Sequence, residues 1–273
     1  MIKIKDVTFS YLGSAREVFT DFSLQIANGN IIGLLGKNGT GKSTLLYLIC
    51  GLLHPQYGQI EVEGYETTMR RSEMLSQLFI VPEEYDLPDV SLNTYLKINR
   101  PFYPRFSREL LDQCLRDFEL DSQVNLGRLS MGQKKKVYMS FAIASGTKYL
   151  FMDEPTNGLD IPSKSLFRKV IKNSMTDNRT VIISTHQAHD VEQLLGYVMI
   201  LSENGLLLNS SVNDIKDCYT FGYRRSEEMD DSVLYSEPAP QGYAVVARRS
   251  DGEPQTPIDL ELLFNATVKQ NSL

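Results

Sequence analysis

The run Gly36-Lys37-Asn38-Gly39-Thr40-Gly41-Lys42-Ser43-Thr44 stands directly after the apolar stretch Ile31-Ile32-Gly33-Leu34-Leu35. A nucleoside triphosphate packs about four negative charges into a small volume, so its site needs many donors converging with no side chains in the way. Glycine at 36, 39 and 41 opens that access to backbone N–H groups, while Lys42 reaches the β and γ groups and Ser43 ligates Mg²⁺. A second chemical group lies in Phe151-Met152-Asp153-Glu154-Pro155, which places two acids at the end of a buried strand. Strand ends lie beside the phosphate loop in an open parallel sheet. There Asp153 would hold Mg²⁺ through water, and Glu154 would orient and polarise an attacking water. Taken alone, such an acid pair is usually a solvated turn; the loop is what makes it chemistry.

The elements that must position these residues follow from hydrophobic period. Apolar residues alternate at Ile2, Ile4, Val7, Phe9 and Tyr11, then at Phe22, Leu24 and Ile26, which predicts two antiparallel strands with one buried face. Asn28-Gly29-Asn30 turns the chain into the buried strand before the loop. From Lys42 the spacing is helical and stops at Gly51, with another alternating strand at Ile60 and Val62. Residues 85–145 read as a mostly helical insert punctuated by prolines, with Ser107 capping a helix and Glu109 in its first turn. Strand character returns at 149–152, 181–183 and 198–201, with a helix from about 162 to 175 between the first two. The predicted fold class is α/β: a P-loop NTPase core with a mostly parallel sheet, an N-terminal antiparallel β subdomain, the helical insert and a small C-terminal α+β appendage. The expected division is 1–205 and 206–273. In the appendage, Thr256 is expected to cap a last helix, with Pro257 at its first position and Asp259 completing a capping-box-like pair.

Composition narrows the function classes. The chain has 273 residues, 42% of them apolar, which suffices for a buried core. Its formal charge is −6, and residues 205–273 hold six basic and eleven acidic side chains, so the acidity sits mostly in the tail. This excludes the basic footprint of a nucleic-acid binder and the polybasic patch that docks on an anionic bilayer. No apolar run approaches the ~20 residues of a spanning helix, so no direct membrane insertion is expected. Cys50, Cys114 and Cys218 are scattered and odd in number, which suggests neither a disulfide framework nor a zinc site and fits a reducing cytosol.

Further motifs carry a resemblance. Leu129-Ser130-Met131-Gly132-Gln133 is similar to the signature LSGGQ of the nucleotide-binding subunits of ATP-binding cassette (ABC) transporters, Asn157-Gly158-Leu159-Asp160 looks like their D-loop, and His186 like their switch histidine. With the phosphate loop and acid pair, the five motifs stand in the family's order over residues 1–205. The resemblance implies an ATPase that works as a dimer. Ser130 and the Gly132 N–H would form an anion site at a helix tip that, with Met131, Gln133 and Asp160, acts on the ATP held by the other subunit. By itself, Leu-Ser-x-Gly is equally a plain N-cap. His186 would contact the γ-phosphate. Tyr11 resembles the aromatic that stacks on adenine, although Val7, Phe9 and Tyr11 could equally form one core face.

Two positions depart from the family pattern. Glu83 stands where a glutamine is usual and would still meet Mg²⁺ or its water, at the cost of added negative charge. Met131 replaces the first glycine of the signature. Lys134-Lys135-Lys136, on a helix opening, reads as a solvated face. Pro101-Phe102-Tyr103-Pro104-Arg105-Phe106 is either a packed connection or, by resemblance to exporter-type cassettes, part of the groove that receives a permease. The resemblance therefore implies a homodimer or cassette pair at the cytoplasmic face of the cell membrane, held there by a separate multi-span permease and powering export. A soluble ATPase of the same family, or a nucleotide-dependent clamp whose tail carries the output, remains the alternative.

Overall fold

The computed structural model describes residues 1–203, 205–250 and 252–270. The N-terminal alternation forms β1 (Ile2–Ser10) and β2 (Glu17–Ile26), antiparallel with Ile2 opposite Ile26. β3 (Ile31–Leu35) is buried at all five positions and feeds the phosphate loop, after which α1 (Lys42–Ile49) begins. α1 stops where the sequence indicates. Gly51 takes a left-handed φ of 65°, and its N–H reaches Leu48 O at 3.0 Å while Leu52 N–H reaches Tyr47 O at 2.9 Å. A Cβ at Gly51 would lie 2.3 Å from Thr67 O, so glycine serves both the turn and the packing. β4 (Tyr57–Val62), β5 (Tyr65–Glu66), the single turn α2 (Ser72–Leu75) and β6 (Leu78–Val81) follow. The first sheet has the order β2-β1-β4-β5 and is antiparallel.

The insert contains α3 (Leu92–Asn99), α4 (Arg108–Asp117) and α5 (Met131–Ala144). Ser107 caps α4, its hydroxyl accepting from Leu110 N at 3.1 Å, with Glu109 in the first turn as expected. Phe141 of α5 joins insert to sheet: its ring lies 5.7 Å from Phe79 of β6 and 5.3 to 5.9 Å from Tyr95, Phe106 and Tyr103. Within the proline-rich stretch, Tyr103 and Phe106 thus pack inward while Phe102 is 67% exposed. The stretch is both a packed connection and an exposed apolar surface.

Next come β7 (Tyr149–Asp153), α6 (Ile161–Asn173), β8 (Thr180–Thr185), β9 (Tyr197–Ser202) and β10 (Gly205–Ser211). The central sheet runs β10-β9-β3-β8-β7-β6, parallel except for the edge strand β10. β3, β8 and β7 are neighbours, with Leu35 opposite Thr185 and Asp153 opposite Ser184. Because parallel strands end on the same side, the loop after β3, the acids ending β7 and His186 after β8 emerge together.

The remaining elements are α7 (Val212–Cys218), β11 (Tyr219–Arg224), β12 (Val233–Ala239), β13 (Gly242–Arg248) and α8 (Leu260–Gln270). β11-β13-β12 form a separate antiparallel sheet. Ile215, Val246, Leu260 and Leu263 belong to the same buried cluster as Leu35 and Ile183, so the C-terminal elements extend the core. The cap of α8 differs from the expectation. Asp259 is the cap, its Oδ1 accepting from Leu262 N at 2.9 Å, whereas the Thr256 hydroxyl accepts from Phe221 N of β11 at 2.8 Å. Sheet pairing claims the threonine, and the helix starts three residues later.

Glu192, in the turn facing that cap, carries a testable charge effect. Burial, then the Asp259 carboxylate, raise its carboxyl above the ordinary range, against His189 and the Leu260 N–H acting the other way. A carboxyl raised on folding binds its proton more readily in the folded state, so it costs stability as pH rises above its unfolded value. Glu192→Gln is therefore expected to raise Tm by roughly 1–3 °C at neutral pH. The gain should vanish below about pH 4, where the group is protonated in both states. Thermal melts of both proteins across pH check this, and a constant difference would contradict it.

Candidate functional site

The loop between β3 and α1 folds around its own lysine. Lys42 is buried, and its Nζ donates to Gly36 O at 2.8 Å and Lys37 O at 3.2 Å and lies 4.0 Å from Glu154 Oε1. Burial lowers its pKa, opposed by Glu154, Asp153 and Glu83. Gly41 takes φ 95°, and a Cβ there would meet Val18 Cγ1 at 2.7 Å, so the turn into α1 admits only glycine. Thr40 Oγ1 donates to Lys37 O at 2.9 Å, bracing the loop.

This loop floors a cleft of about 450 Å³. Of the residues singled out in the sequence, Tyr11, Asn38, Gly39, Thr40, Gly41, Lys42, Ser43, Thr44, Glu83 and Glu154 line it. Gly36, Lys37 and His186 line an adjoining cavity of about 590 Å³, whose far wall includes Phe264 and Asn265 of α8. Tyr11 leaves the core stripe formed by Val7 and Phe9. It is 45% exposed, meets Phe9 edge-on at 5.1 Å and shares a 2.9 Å hydrogen bond between its hydroxyl and Thr44 Oγ1.

The acids sit at the back of the cleft. Asp153 is 1% exposed and accepts a hydrogen bond from the Ser184 hydroxyl. Glu154 has a left-handed φ of 45°, a conformation costing about 1–2 kcal/mol for an L residue. Its Oε1 meets His186 Nδ1 at 2.7 Å and accepts His186 N–H at 3.0 Å, and its Oε2 accepts the Thr185 hydroxyl at 3.0 Å. A carboxylate only accepts, so the proton of this pair sits on His186 Nδ1, leaving Nε2 to face Gln187 Nε2 at 3.4 Å.

Glu83 accepts from Asn157 Nδ2 at 2.9 Å. A glutamine would keep an oxygen for the same bond, so Glu83→Gln is expected to hold its ATPase turnover within about fivefold of wild type. Complete loss would show that the charge itself is needed. No cluster of three or more His, Cys, Asp or Glu able to hold a metal occurs among the described residues. Ser43 in the cleft and Asp153 at its back supply few protein oxygens, a donor set suited to Mg²⁺, which keeps waters and takes substrate phosphates.

The signature residues behave differently. Ser130 caps α5 through a capping box: its hydroxyl accepts from Gln133 N at 3.3 Å while Gln133 Oε1 accepts from Ser130 N at 3.1 Å. Met131 is 72% exposed. Asp160 caps α6, Oδ1 accepting from Ser163 N at 2.9 Å, and its hydrogen bonds to Ser163 hold its carboxyl below the ordinary range. None of Ser130, Met131, Gly132, Gln133 or Asp160 lines the phosphate-loop cleft.

The lysine run after the signature corrects the expectation of a solvated face. Lys135 is 8% exposed and donates to Glu154 O at 3.1 Å and Asn157 O at 2.8 Å. Burial lowers its pKa, against Glu83, Glu154 and Asp153. The available signal was helical spacing, since Lys135 shares a stripe with Met139 and Ala142, both buried. Asn157 was visible only as part of the D-loop-like motif. In space its side chain joins Glu83 to Gln187, whose Nε2 donates to Asn157 Oδ1 at 3.4 Å.

The family model described as ABC transporter matches residues 19–157. The bacitracin transport ATP-binding protein BcrA of Bacillus licheniformis is 31% identical over 211 residues, covering 76% of this chain and 68% of that protein. The Nod factor export ATP-binding protein I of Rhizobium etli is 28% identical over 222 residues, covering 79% and 70%. Among solved structures, an ATP-binding subunit of an ABC transporter superposes with a TM-score of 0.70 at 25% identity, covering 79% of this chain and 92% of that one. Family, sheet order and phosphate loop agree, and the chain belongs to the ABC transporter family as one of its ATP-binding, ATP-hydrolysing cassettes.

Proposed function

We propose that this chain is the motor subunit of an export system: two copies close over two Mg²⁺·ATP, hydrolysis parts them, and the motion drives a separate multi-span permease. The observation that carries this reading is the division of the donors. The cleft holds the loop, the acids and the aromatic, while the capped tip of α5 bearing Ser130 and Gly132 lies outside it, exposed and aimed at no nucleotide of its own chain. A second copy brings that tip to the γ-phosphate, where helix N–H groups and dipole stabilise charge.

Within each composite site, Tyr11 stacks on the base and the loop from Gly36 to Thr44 binds the phosphates, with Lys42 on the β and γ groups. Ser43, Asp153 and Glu83 would hold Mg²⁺, which neutralises charge on the phosphates when bound. Glu154 takes the proton of the attacking water and His186 contacts the γ-phosphate. Ser130, Met131, Gly132, Gln133 and Asp160 act from the other subunit.

Export is favoured by the relatives, two of which are named for bacitracin transport and Nod factor export. A groove of about 870 Å³ between Leu52, Phe79, Phe102 and Tyr138 is the seat we assign to the permease. No helix among the described residues is long and apolar enough to cross a membrane, so the permease would hold the chain at the cytoplasmic face. Residues 1–205 are the ATPase unit in this reading, and 206–273 its appendage.

The test is phosphate release by the purified chain with Mg²⁺·ATP. Turnover per chain that climbs with protein concentration supports the paired motor. Turnover independent of concentration would contradict the pairing, and none at all would contradict the motor.

A further inference from the structure

We infer that Lys135 is a positioning residue for hydrolysis, tying the helix that grips the partner's nucleotide to the backbone of the base acting on its own. The inference rests on the composite site proposed above. Its ground is geometric. The two carbonyls that receive the Lys135 ammonium, Glu154 O and Asn157 O, bracket the turn Glu154-Pro155-Thr156-Asn157. That turn carries the base at one end and leads into Asp160 at the other.

Glu154 is left-handed there, its N–H donating to Ser184 O at 3.0 Å and its O accepting from Asn157 N at 3.2 Å. Those bonds hold the turn to β8 and to itself; among the described residues, the hydrogen bonds that hold it to α5 come from Lys135. Asn157, the other acceptor, in turn touches Glu83 and Gln187, so one ammonium ties α5 to a ring of contacts reaching Glu83, Glu154 and His186.

On α5, Lys135 stands five residues after Ser130, about one and a half turns from the helix tip. Between tip and lysine α5 is a continuous helix, so a displacement of the tip on meeting the partner's phosphate is carried as a rigid shift to Glu154 O and Asn157 O. The arrangement makes the placement of Glu154 sensitive to whether the opposite site is filled. A lysine serving only to fill space would not need its donors on the base's own peptide.

Lys135→Met keeps the bulk and removes the donors, and Lys135→Gln restores a neutral donor. Both are compared with wild type in full-length protein for kcat, KM and Hill coefficient with Mg²⁺·ATP, for binding of a fluorescent ATP analogue, and for melting temperature. Misplacement of a reacting group by about 1 Å costs up to about 10²-fold. The expected result is a kcat loss of roughly tenfold or more in Lys135→Met, with nucleotide affinity within about threefold, a Hill coefficient falling towards one, and partial recovery in Lys135→Gln. A Lys135→Met turnover within about twofold of wild type would overturn the inference, as would a Gln variant no better than Met or a loss of affinity matching the loss of turnover. Wild-type turnover and ATP-dependent pairing of Glu154→Gln are measured alongside. Their absence removes the composite-site reading itself; their presence with an unimpaired Lys135→Met removes only this inference.

Discussion

Replacing Glu154 with glutamine is expected to lower turnover by about 10²- to 10⁴-fold while leaving ATP binding intact. The amide keeps the size of the carboxylate and one oxygen for the His186 N–H, which bonds Glu154 Oε1 at 3.0 Å, while its NH2 replaces Oε2 and can donate to the Thr185 hydroxyl oxygen 3.0 Å away. It cannot accept a proton from water. The 2.7 Å contact with His186 Nδ1 can persist on the amide oxygen, so the substitution separates proton transfer from position. Single-turnover phosphate release measures the loss, and nucleotide titration checks that binding is kept. Turnover near wild type would remove Glu154 from the role of base and leave Asp153, buried and bonded to Ser184, as the remaining acid at the back of the cleft.

Lys42→Ala should act on the other quantity. In the cleft as folded, the Lys42 ammonium is held by Gly36 O and Lys37 O and faces Glu154. Alanine removes the buried cation of the loop that faces Glu154 and leaves Lys135 to offset Glu154, Asp153 and Glu83 beside the incoming phosphates. Losing one partner of a buried charge pair costs about 2–5 kcal/mol, a weakening of roughly 30- to 5,000-fold in ATP affinity. Isothermal titration reads this directly. Unchanged affinity with lost turnover would mean that Lys42 serves the reaction and not the binding.

Legibility in the sequence followed the range of the interaction that decides each feature. β3, the phosphate loop and α1 are specified locally, by an apolar run, three glycines and helical spacing, and the structure places them within a residue or two of the expectation at the start. The end of α1 was legible for the same reason, since Gly51 supplies the left-handed turn by itself. Where a distant element competes, local rules failed. Thr256 has the chemistry of a cap, yet β11 takes its hydroxyl, and Asp259 caps α8 instead. Lys135 reads as solvated among three lysines; its stripe with Met139 and Ala142 signals burial, but nothing local tells that α5 docks on the turn after β7. Tyr11 had two readings, and only the end of β1 at Ser10 decides that its ring leaves the core stripe for the cleft. The proposed role of Ser130 lies beyond the chain altogether: one copy shows a capped helix with an exposed tip, and the role we propose for it needs a second copy.

Mixing Glu154→Gln with Mg²⁺·ATP and weighing it by sedimentation equilibrium tests the central claim most directly. Two copies clasping nucleotide between phosphate loop and α5 tip predict a particle of twice the chain mass, 30.9 kDa, with ATP and a single chain with ADP. A single-chain mass with ATP at concentrations far above the nucleotide affinity would contradict the composite site and every role assigned across it.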